Sequence, residues 1–210
     1  MKRSILISII ALLFASYQVN SNDLTYNTLI MSENNYEVAI FAGGCFWCTE
    51  AIFERVKGVL TAESGYSGGH VVNPSYREVC TGNTGHAEAI RITFDPSVVS
   101  YVELLEIFFK THDPTTLNRQ GADVGTQYRS AIFYNTPEQR NQAEEIIQAL
   151  EREHIWKDPI VTEVTAFTNF FTAEDYHQEY YDNNANQGYC RMVIQPKIDK
   201  FEKVFRDKLK

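Results

Sequence analysis

A buried strand, a pair of glycines and a helix follow one another between residues 36 and 56, and this succession constrains the fold most strongly. Tyr36 to Phe41 is a compact apolar run typical of a buried strand, and it is broken at Ala42-Gly43-Gly44. From Phe46 to Val56 apolar residues recur at helical spacing until Gly58. Cys45 therefore stands at a strand-to-helix junction where the glycines allow a tight backbone turn.

The rest of the chain alternates strand and helix patterns, separated by long loops that contain glycine. Strands are predicted over Val59–Tyr66, Glu88–Phe94, Arg129–Tyr134 and Val161–Phe167, and helices over Tyr101–Lys110, from Pro137 to about His154, and over Lys197–Leu209. Asp95-Pro96-Ser97 is expected to announce the first of these helices, and Pro137 occupies a favoured first-turn position. This mixture predicts a single α+β domain.

The N-terminal segment is a different kind of sequence. Lys2 and Arg3 precede an apolar run from Ile5 to Ala15, and a largely polar stretch follows. A charged start and a short apolar run indicate a secretory signal peptide, here predicted over residues 1–21, then a loose leader over 22–35 and the folded domain over 36–210. The protein is therefore expected to be periplasmic or secreted. A membrane anchor is the alternative, but a spanning helix needs about 20 apolar residues.

The charge of the chain excludes one group of partners. The formal net charge is −8, and no dense tract of lysine and arginine occurs. Nucleic acid and anionic membrane surfaces attract basic proteins, so neither is expected as a partner.

Cys45 is the best-placed nucleophile among the four cysteines, which are Cys45, Cys48, Cys80 and Cys190. An exported chain with an even number of cysteines can hold two structural disulfides, and a buried, inert thiol is the simpler interpretation of each. However, a thiol at a helix N-terminus faces the positive end of the helix dipole, which stabilises the thiolate. We therefore predict a reactive Cys45.

Cys48 completes a Cys-x-x-Cys motif that has three interpretations: a redox dithiol, half of a zinc site, or a resolving partner for Cys45. A zinc site usually has a second pair of ligands at similar spacing, whereas Cys80 and Cys190 each stand alone. No metal site and no cofactor are predicted.

Glu88 lies in a strand pattern, Ala87 to Ile92, that is otherwise largely apolar. If its side chain points inward, burial raises its pKa and makes it a proton donor near neutral pH; a solvent-facing glutamate is the simpler interpretation. Tyr76 and Tyr128 lie in or beside glycine-bearing loops, where tyrosine hydroxyls can donate to an oxygen atom or merely pack at the surface. Asp123 and His86 are open to the same two interpretations.

Several segments together resemble the A-type peptide methionine sulfoxide reductases. They are Gly44-Cys45-Phe46-Trp47, Gly65-Tyr66-Ser67-Gly68-Gly69, Tyr76-Arg77-Glu78-Val79-Cys80, Thr84-Gly85-His86-Ala87-Glu88-Ala89, His112-Asp113-Pro114-Thr115, Gly125-Thr126-Gln127-Tyr128-Arg129-Ser130 and Gln187-Gly188-Tyr189-Cys190. The resemblance runs in the family's order from about Val38 to the C-terminus. It implies a mixed, mainly antiparallel sheet with flanking helices, in a two-layer sandwich with a ferredoxin-like core.

The resemblance also implies roles for single residues. Cys45 is similar to the family's nucleophile, which attacks the sulfoxide sulfur, and Glu88 to the acid that protonates the sulfoxide oxygen. Tyr76 and Tyr128 match the two hydroxyls that hold that oxygen.

Further positions match the family's substrate pocket and its recycling cysteine. Phe46 and Trp47 match an aromatic wall that receives the methyl group on sulfur, and Asp123 falls where the family has an additional polar residue. Cys190 matches a recycling cysteine near the C-terminus. Many relatives have glycine at the position of Cys48, so either Cys48 or Cys190 can resolve first; Cys190 is preferred here, because a Cys45–Cys48 bridge would close on the helix that orients Cys45.

The implied activity is reduction of methionine S-sulfoxide, free or in proteins, by a monomer that a thioredoxin-like donor recycles. Attack leaves Cys45 as a sulfenic acid, which condenses with a second thiol, and exchange then restores the thiols. Two other functions compete: a thioredoxin-like thiol–disulfide oxidoreductase built on Cys45 and Cys48, and an aromatic-rich binding module with two structural disulfides.

Overall fold

The strand, glycine turn and helix predicted around Cys45 are present in a computed structural model, which describes residues 35–210. Strand β1 (Glu37–Gly43) leads through Gly44 and Cys45 into helix α1 (Phe46–Phe53). The predicted signal peptide lies outside the described residues, as does nearly all of the predicted leader.

The other elements follow in chain order. They are β2 (Val59–Ser67), α2 (Tyr76–Cys80), β3 (Ala87–Phe94), α3 (Tyr101–Thr111), β4 (Arg119–Gln120), β5 (Asp123–Val124), β6 (Ser130–Tyr134), α4 (Pro137–Arg152), β7 (Glu163–Ala166), β8 (Phe170–Thr172), α5 (Tyr180–Asn184) and α6 (Gln195–Val204). A π-helical turn, Cys190–Ile194, precedes α6, and short 3₁₀ turns occur at Thr126–Tyr128, Asp175–His177 and Arg206–Lys208.

The main sheet has six strands in the order β7-β6-β1-β3-β2-β8. All neighbouring strands are antiparallel except β6 and β7, which are parallel. Its four central strands are connected β1-α1-β2-β3-α3-β6, which is the βαββαβ arrangement of ferredoxin-like folds. The predicted α+β domain with a mixed, mainly antiparallel sheet is confirmed.

The two faces of the sheet bury different residues because side chains alternate along each strand. Phe41 pairs with Ile90, and its ring lies 5.8 Å from that of Phe53 in α1 and 5.0 Å from that of Phe108 in α3. Helices α1 and α3 therefore form the second layer on this face. Ile40, on the opposite face, belongs to a separate buried cluster with small residues of β1, β3 and β6. The same alternation puts Glu88, two residues before Ile90, on the helical face.

Local hydrogen bonds place the helix caps differently from the prediction. Asp95 and Ser97 form a turn, with the Ser97 amide donating to the Asp95 carboxylate at 2.9 Å. Helix α3 begins at Tyr101, as predicted, but its cap is Ser100, whose side chain forms a reciprocal capping box with Glu103. The loop after β2 contains an unpredicted helix, α2, which Ser75 caps in the same way.

The C-terminal helix also differs from the predicted Lys197–Leu209. It starts at Gln195, directly after the π-helical turn, and ends at Val204. Leu209 instead forms an isolated antiparallel bridge with Val56, which ties the chain end to the segment after α1. Within residues 35–210, no helix has the length and apolar character required to cross a membrane.

Replacing Gly44 by alanine is expected to destabilise the fold. Gly44 has φ +95°, and a Cβ there would lie 2.6 Å from the Gln120 side chain, so both backbone strain and a steric clash result. We expect a loss of about 2–4 kcal/mol in the free energy of unfolding, measured by urea denaturation.

Gly121→Ala is the matched control, because Gly121 also has positive φ, +61°, but no atom lies within 4 Å of the added Cβ. It is expected to cost about 1 kcal/mol from strain alone. Equal losses in the two variants would contradict a tight packing requirement at Gly44.

Candidate active site

Cys45 and Cys48 lie together at the start of α1. Cys45 is the residue that precedes the first helical residue, and the Cys48 amide donates to the Cys45 carbonyl at 3.0 Å. This first helical turn brings the two side chains to the same side of the helix, and the Cys45 thiol donates a hydrogen bond to the Cys48 sulfur. Both thiols are free and buried, Cys45 with 7% and Cys48 with 3% of its surface exposed.

The electrostatics of this pair differ from the sequence-based expectation. Burial, followed by the hydrogen bond to Cys48, raises the pKa of Cys45 well above its ordinary value. Accepting that bond lowers the pKa of Cys48. The predicted effect of the helix dipole on Cys45 is outweighed because the closed pocket removes water from the thiolate. Of the two thiols, Cys45 therefore holds its proton more firmly.

Glu88 reaches the N-terminus of α1 from the neighbouring strand β3. The backbone N–H of Phe46 donates to Glu88 Oε2 at 3.1 Å, while Oε1 has no hydrogen-bond partner among the described residues. The side chain is 1% exposed, and burial raises its pKa to about 8. Glu88 therefore carries a proton at neutral pH and has one oxygen free to use it.

Tyr76 and Tyr128 come to Glu88 from two separate loops. Tyr76 begins α2, and its ring stacks on Phe46 with ring centroids 6.3 Å apart. Tyr128 ends the 3₁₀ turn after β5 and packs against the buried cluster that contains Cys45. Burial, and then the nearby Glu88 carboxyl, raises the pKa of both phenols, so both hydroxyls stay protonated and can donate. The four predicted oxygen-handling and nucleophilic residues therefore lie at one place.

The two aromatic residues after Cys45 have different surroundings. Phe46 is buried against Tyr66, with ring centroids 5.9 Å apart. Trp47 is half-buried and stacks face to face on Tyr180 with centroids 3.7 Å apart. Its indole N–H donates to Nδ1 of His177 at 3.1 Å. Phe46 and Trp47 thus provide a rigid apolar surface beside the Cys45 sulfur.

His177 and Tyr180 are further residues of the site. In the sequence, the spacing of Tyr176, His177 and Tyr181 fits one packed face of a short helix, so it does not distinguish a site from a core. In the structure His177 accepts a hydrogen bond from Trp47, whereas Tyr176 is 62% exposed and Tyr181 bonds to Gln195 of α6. The signal lay in tertiary contacts across more than 120 residues of sequence, which no local pattern contains.

Asp123 is brought to the pocket by the small β4–β5 hairpin. Its carboxylate accepts a hydrogen bond from the Tyr189 hydroxyl at 2.8 Å, and Tyr189 also lies within hydrogen-bonding distance of the Cys45 and Cys48 thiols. Asp123 therefore contacts the two cysteines indirectly, through Tyr189.

The other candidate residues are Cys190, Cys80 and His86, and each has a different environment. Cys190 is fully buried and belongs to the same cluster as Cys45 and Cys48. Cys80 is exposed and forms a side-chain hydrogen bond with Tyr76. His86 is structural: its Nδ1 accepts from the Gly69 amide at 3.1 Å and its Nε2 contacts the Val71 carbonyl at 2.8 Å, which fixes the loop after β2.

The site has the parts of a thiol-dependent reductase. A buried thiol lies beside a second thiol, and a protonated carboxyl lies near them together with two phenol hydroxyls. Among residues 35–210 no three His, Cys, Asp or Glu side chains are grouped in a way that could hold a metal ion. The fold and the site together define a thiol-dependent oxidoreductase.

Comparison with known proteins identifies the family. The family model described as peptide methionine sulfoxide reductase matches residues 37–209. The chain is 60% identical over 174 residues to peptide methionine sulfoxide reductase MsrA of Saccharolobus solfataricus, covering 83% of this chain and 97% of the relative. It is 59% identical over 174 residues to the protein of the same name in Deinococcus radiodurans, covering 83% and 84%. The chain belongs to the peptide methionine sulfoxide reductase family.

Solved structures of this family are also similar to the chain. Methionine sulfoxide reductase A of Corynebacterium diphtheriae superposes with a TM-score of 0.71 at 36% identity, over 77% of this chain and 80% of that one. Mxr1 of Saccharomyces cerevisiae in reduced form gives a TM-score of 0.69 at 32% identity, over 78% and 94%. The resemblance that the sequence motifs suggested is confirmed, and the competing thioredoxin-like interpretation is not favoured.

Replacing Glu88 by glutamine is expected to raise stability, and more so at higher pH. The folded state holds the pKa of Glu88 near 8, above its ordinary value, so this group costs stability as pH rises from about 5 to 8 while the unfolded chain ionises freely. Glutamine does not titrate and can still accept from the Phe46 amide. The difference in melting temperature between variant and wild type should grow over this range.

Glu145→Gln, at an exposed position of α4, is the control and should show no such growth. A Glu88→Gln difference that stays constant between pH 5 and 8 would contradict the buried, protonated state of Glu88.

Proposed function

We propose that this chain reduces methionine sulfoxide to methionine, with Cys45 attacking the sulfoxide sulfur. The observation that carries the proposal is the position of Glu88, whose free Oε1 lies beside the start of the helix that carries Cys45. A sulfoxide oxygen is a poor leaving group until it is protonated, so an acid beside the nucleophile supplies what the reaction lacks. Family membership supports the same reaction.

Glu88 is the proposed acid, and Tyr76 and Tyr128 are the proposed oxygen-binding hydroxyls. A carboxyl with a pKa near 8 is protonated at neutral pH and can donate its proton as the oxygen leaves sulfur. Two phenols that stay protonated donate hydrogen bonds to an oxygen that gains negative charge. The proton of Cys45 can pass to Cys48, which already accepts its hydrogen bond.

Phe46 and Trp47 are proposed to hold the methyl group on sulfur. Their rings are fixed by Tyr66 on one side and by Tyr180 and His177 on the other, so the apolar surface is preformed. Because the sulfoxide sulfur is chiral, only one epimer can direct its methyl group to this wall and its oxygen to Glu88. By family resemblance, we propose the S epimer. Asp123 is the proposed polar substrate contact.

The product on the enzyme is a sulfenic acid at Cys45, which a second thiol converts to a disulfide. Cys48 and Cys190 both lie in the cluster with Cys45 and are the proposed resolving residues. A thioredoxin-like dithiol is the proposed donor that reduces the final disulfide by exchange.

The location and assembly of the protein are proposals from the sequence. Export is supported by Lys2 and Arg3 before the short apolar run, with residues 1–21 removed. We propose a monomer that repairs oxidised proteins outside the cytosol. Mass measurement of the N-terminus after expression in a bacterial host, and light scattering of the purified chain, test the two statements; an uncleaved chain or a stable dimer would contradict them.

Cys45→Ser is expected to abolish methionine formation, because serine at this position cannot accept the sulfoxide oxygen. Turnover of each sulfoxide epimer with dithiothreitol as reductant measures the loss, and insulin reduction tests the thioredoxin-like alternative. Cys80→Ser, which removes an exposed thiol outside the cluster but keeps a hydroxyl that can bond to Tyr76, should retain activity. Equal activity of Cys45→Ser and wild type would refute the proposed nucleophile, and vigorous insulin reduction without sulfoxide turnover would favour the alternative.

The pH dependence of kcat/KM is expected to show the ionisation of Glu88. This parameter reports groups of the free enzyme, so it should fall above pH 8 as the carboxyl loses its proton. Glu88→Gln should lower kcat/KM by about 100- to 10,000-fold and remove this alkaline limb. A wild-type profile that keeps rising through pH 9 would be inconsistent with Glu88 as the acid.

A further inference from the structure

A second buried carboxyl lies on the helix that carries Cys45, and the proposed reaction does not use it. Glu50 is 1% exposed and lies three residues after Trp47 on α1, a spacing that places both side chains on the same side of the helix. The Glu50 carboxyl faces the backbone N–H groups of Glu179 and Tyr180. A carboxyl at this depth requires such polar partners, because it has lost its contact with water.

We propose that Glu50 is a positioning residue for substrate binding, which fixes Trp47 by holding the backbone that carries Tyr180. This inference rests on the proposed function, since it needs Trp47 as part of the wall that receives the substrate. It adds to that function a residue that acts through others and takes no part in the chemistry at sulfur.

Glu179 has a left-handed backbone, which is uncommon for a residue with a side chain. Its φ of +49° and ψ of +32° cost free energy and persist only where neighbouring contacts fix them. The next residue, Tyr180, begins the short helix α5. Successive N–H groups at such a reversal of the backbone form a concave cradle for a negatively charged oxygen. The Glu50 carboxyl faces this cradle and is a contact that can fix it.

The residue before the cradle is bound to strand β2. The side-chain amide of Gln178 donates to the carbonyl oxygens of Ser64 and Ala173 at 3.0 and 2.9 Å, and its oxygen accepts from the Ser64 amide at 3.0 Å. These bonds fix the chain as far as Gln178. They do not include the N–H groups of the next two residues, which the Glu50 carboxyl faces instead.

Tyr180 connects this backbone to the substrate wall. Its ring stacks on the Trp47 indole with centroids 3.7 Å apart and planes 7° apart, so a shift of the backbone moves the surface that supports the indole. Further along α5, Asp182 accepts from Arg55 at 2.6 Å, but the Asp182 side chain is half exposed, and exposed ion pairs hold a segment weakly. The buried carboxyl of Glu50 is therefore the stronger constraint on Tyr180.

A second carboxyl on α1, Glu54, provides the matched control. Burial, followed by the Glu54 carboxyl, raises the pKa of Glu50 to about 7, and burial also raises the pKa of Glu54 to about 7. Glu54 does not face the N–H groups of the cradle. Its charged neighbours, of both signs, are Asp182, Glu179, Arg55 and Lys210. Glu54→Gln thus removes a titrating group of similar pKa and leaves the cradle intact.

The kinetic test compares Glu50→Gln with Glu50→Leu in a single turnover of methionine sulfoxide. Glutamine keeps an oxygen that accepts from the two N–H groups, so Glu50→Gln and the control Glu54→Gln should match the wild type. Leucine has no acceptor. Glu50→Leu should raise the sulfoxide concentration that gives half the maximal rate by about 3- to 10-fold, the range for loss of one aromatic stack, and leave the maximal rate within about twofold.

The fluorescence of Trp47 reports the same contact without any reaction. The chain has two tryptophans, so Trp156→Phe leaves Trp47 as the sole indole. In this background Glu50→Leu and Tyr180→Leu should both shift the emission to longer wavelength, because the indole gains contact with water. Glu50→Gln should leave the emission unchanged.

Amide signals in nuclear magnetic resonance test the cradle even if Glu50→Leu fails to fold. In Glu54→Gln the backbone amide signals of Glu179 and Tyr180 should move as pH passes the Glu50 pKa of about 7. They should stay fixed when Glu50→Gln is added to Glu54→Gln. Amide signals that do not respond to pH in Glu54→Gln would overturn the inference.

The outcomes distinguish this inference from the activity on which it rests. No methionine from the wild-type chain would refute the proposed function, whatever the emission of Trp47 shows. An active wild type, together with wild-type half-saturation and emission in Glu50→Leu, would overturn only the positioning role. The same holds if Glu50→Leu lowers the melting temperature or the maximal rate alone, since Glu50 would then act on stability or on the chemical step.

Discussion

The hydrogen bond from the Phe46 amide to Glu88 is the contact on which the site depends. It joins the first turn of α1 to strand β3, and it is the only bond to the Glu88 carboxyl within the described residues. An ionised carboxylate at this depth would be costly, so the group stays protonated and its second oxygen stays available. The Cys45 end of α1 and the Glu88 carboxyl, the proposed nucleophile and acid, are consequently held in one geometry before any substrate arrives.

A second set of contacts holds the C-terminal third of the chain against the segments that carry Cys45 and Glu88. Glu174 accepts hydrogen bonds from the Tyr66 hydroxyl at 2.8 Å and the Tyr76 amide at 2.9 Å. Trp47 meets His177 and stacks on Tyr180 from the other side. The irregular segments after β8 therefore form the pocket wall, and they are positioned by buried aromatic and carboxylate contacts instead of by the sheet itself.

Sequence patterns predicted the elements that periodicity defines and missed those that depend on distant partners. Strand β1, the glycine turn and the start of α1 follow directly from local residue types, as does Thr136 with Pro137 at the start of α4. The place of Glu88 on the helical face follows from alternation along β3.

Three features of the structure could not be predicted from local sequence patterns, because they depend on tertiary contacts. The order of the strands and the parallel β6–β7 pair arise from the crossover connections. The contacts of His177 and Tyr189 reach across the fold to residues far away in the sequence. The raised pKa of Cys45 comes from its burial in a pocket that residues far along the chain close. The helix dipole stabilises a thiolate that water also solvates, whereas Cys45 is buried and its pKa is raised instead.

That burial also bears on the proposed sulfenic acid at Cys45. A sulfenic acid in water is readily oxidised onward by peroxide to sulfinic acid, which ordinary thiol exchange cannot reverse. With 7% of Cys45 exposed and Tyr189, Trp47 and Tyr128 packed around its cluster, the sulfur has little contact with bulk solvent. The same enclosure that suppresses the resting thiolate thus limits the contact of the proposed sulfenic acid with dissolved peroxide.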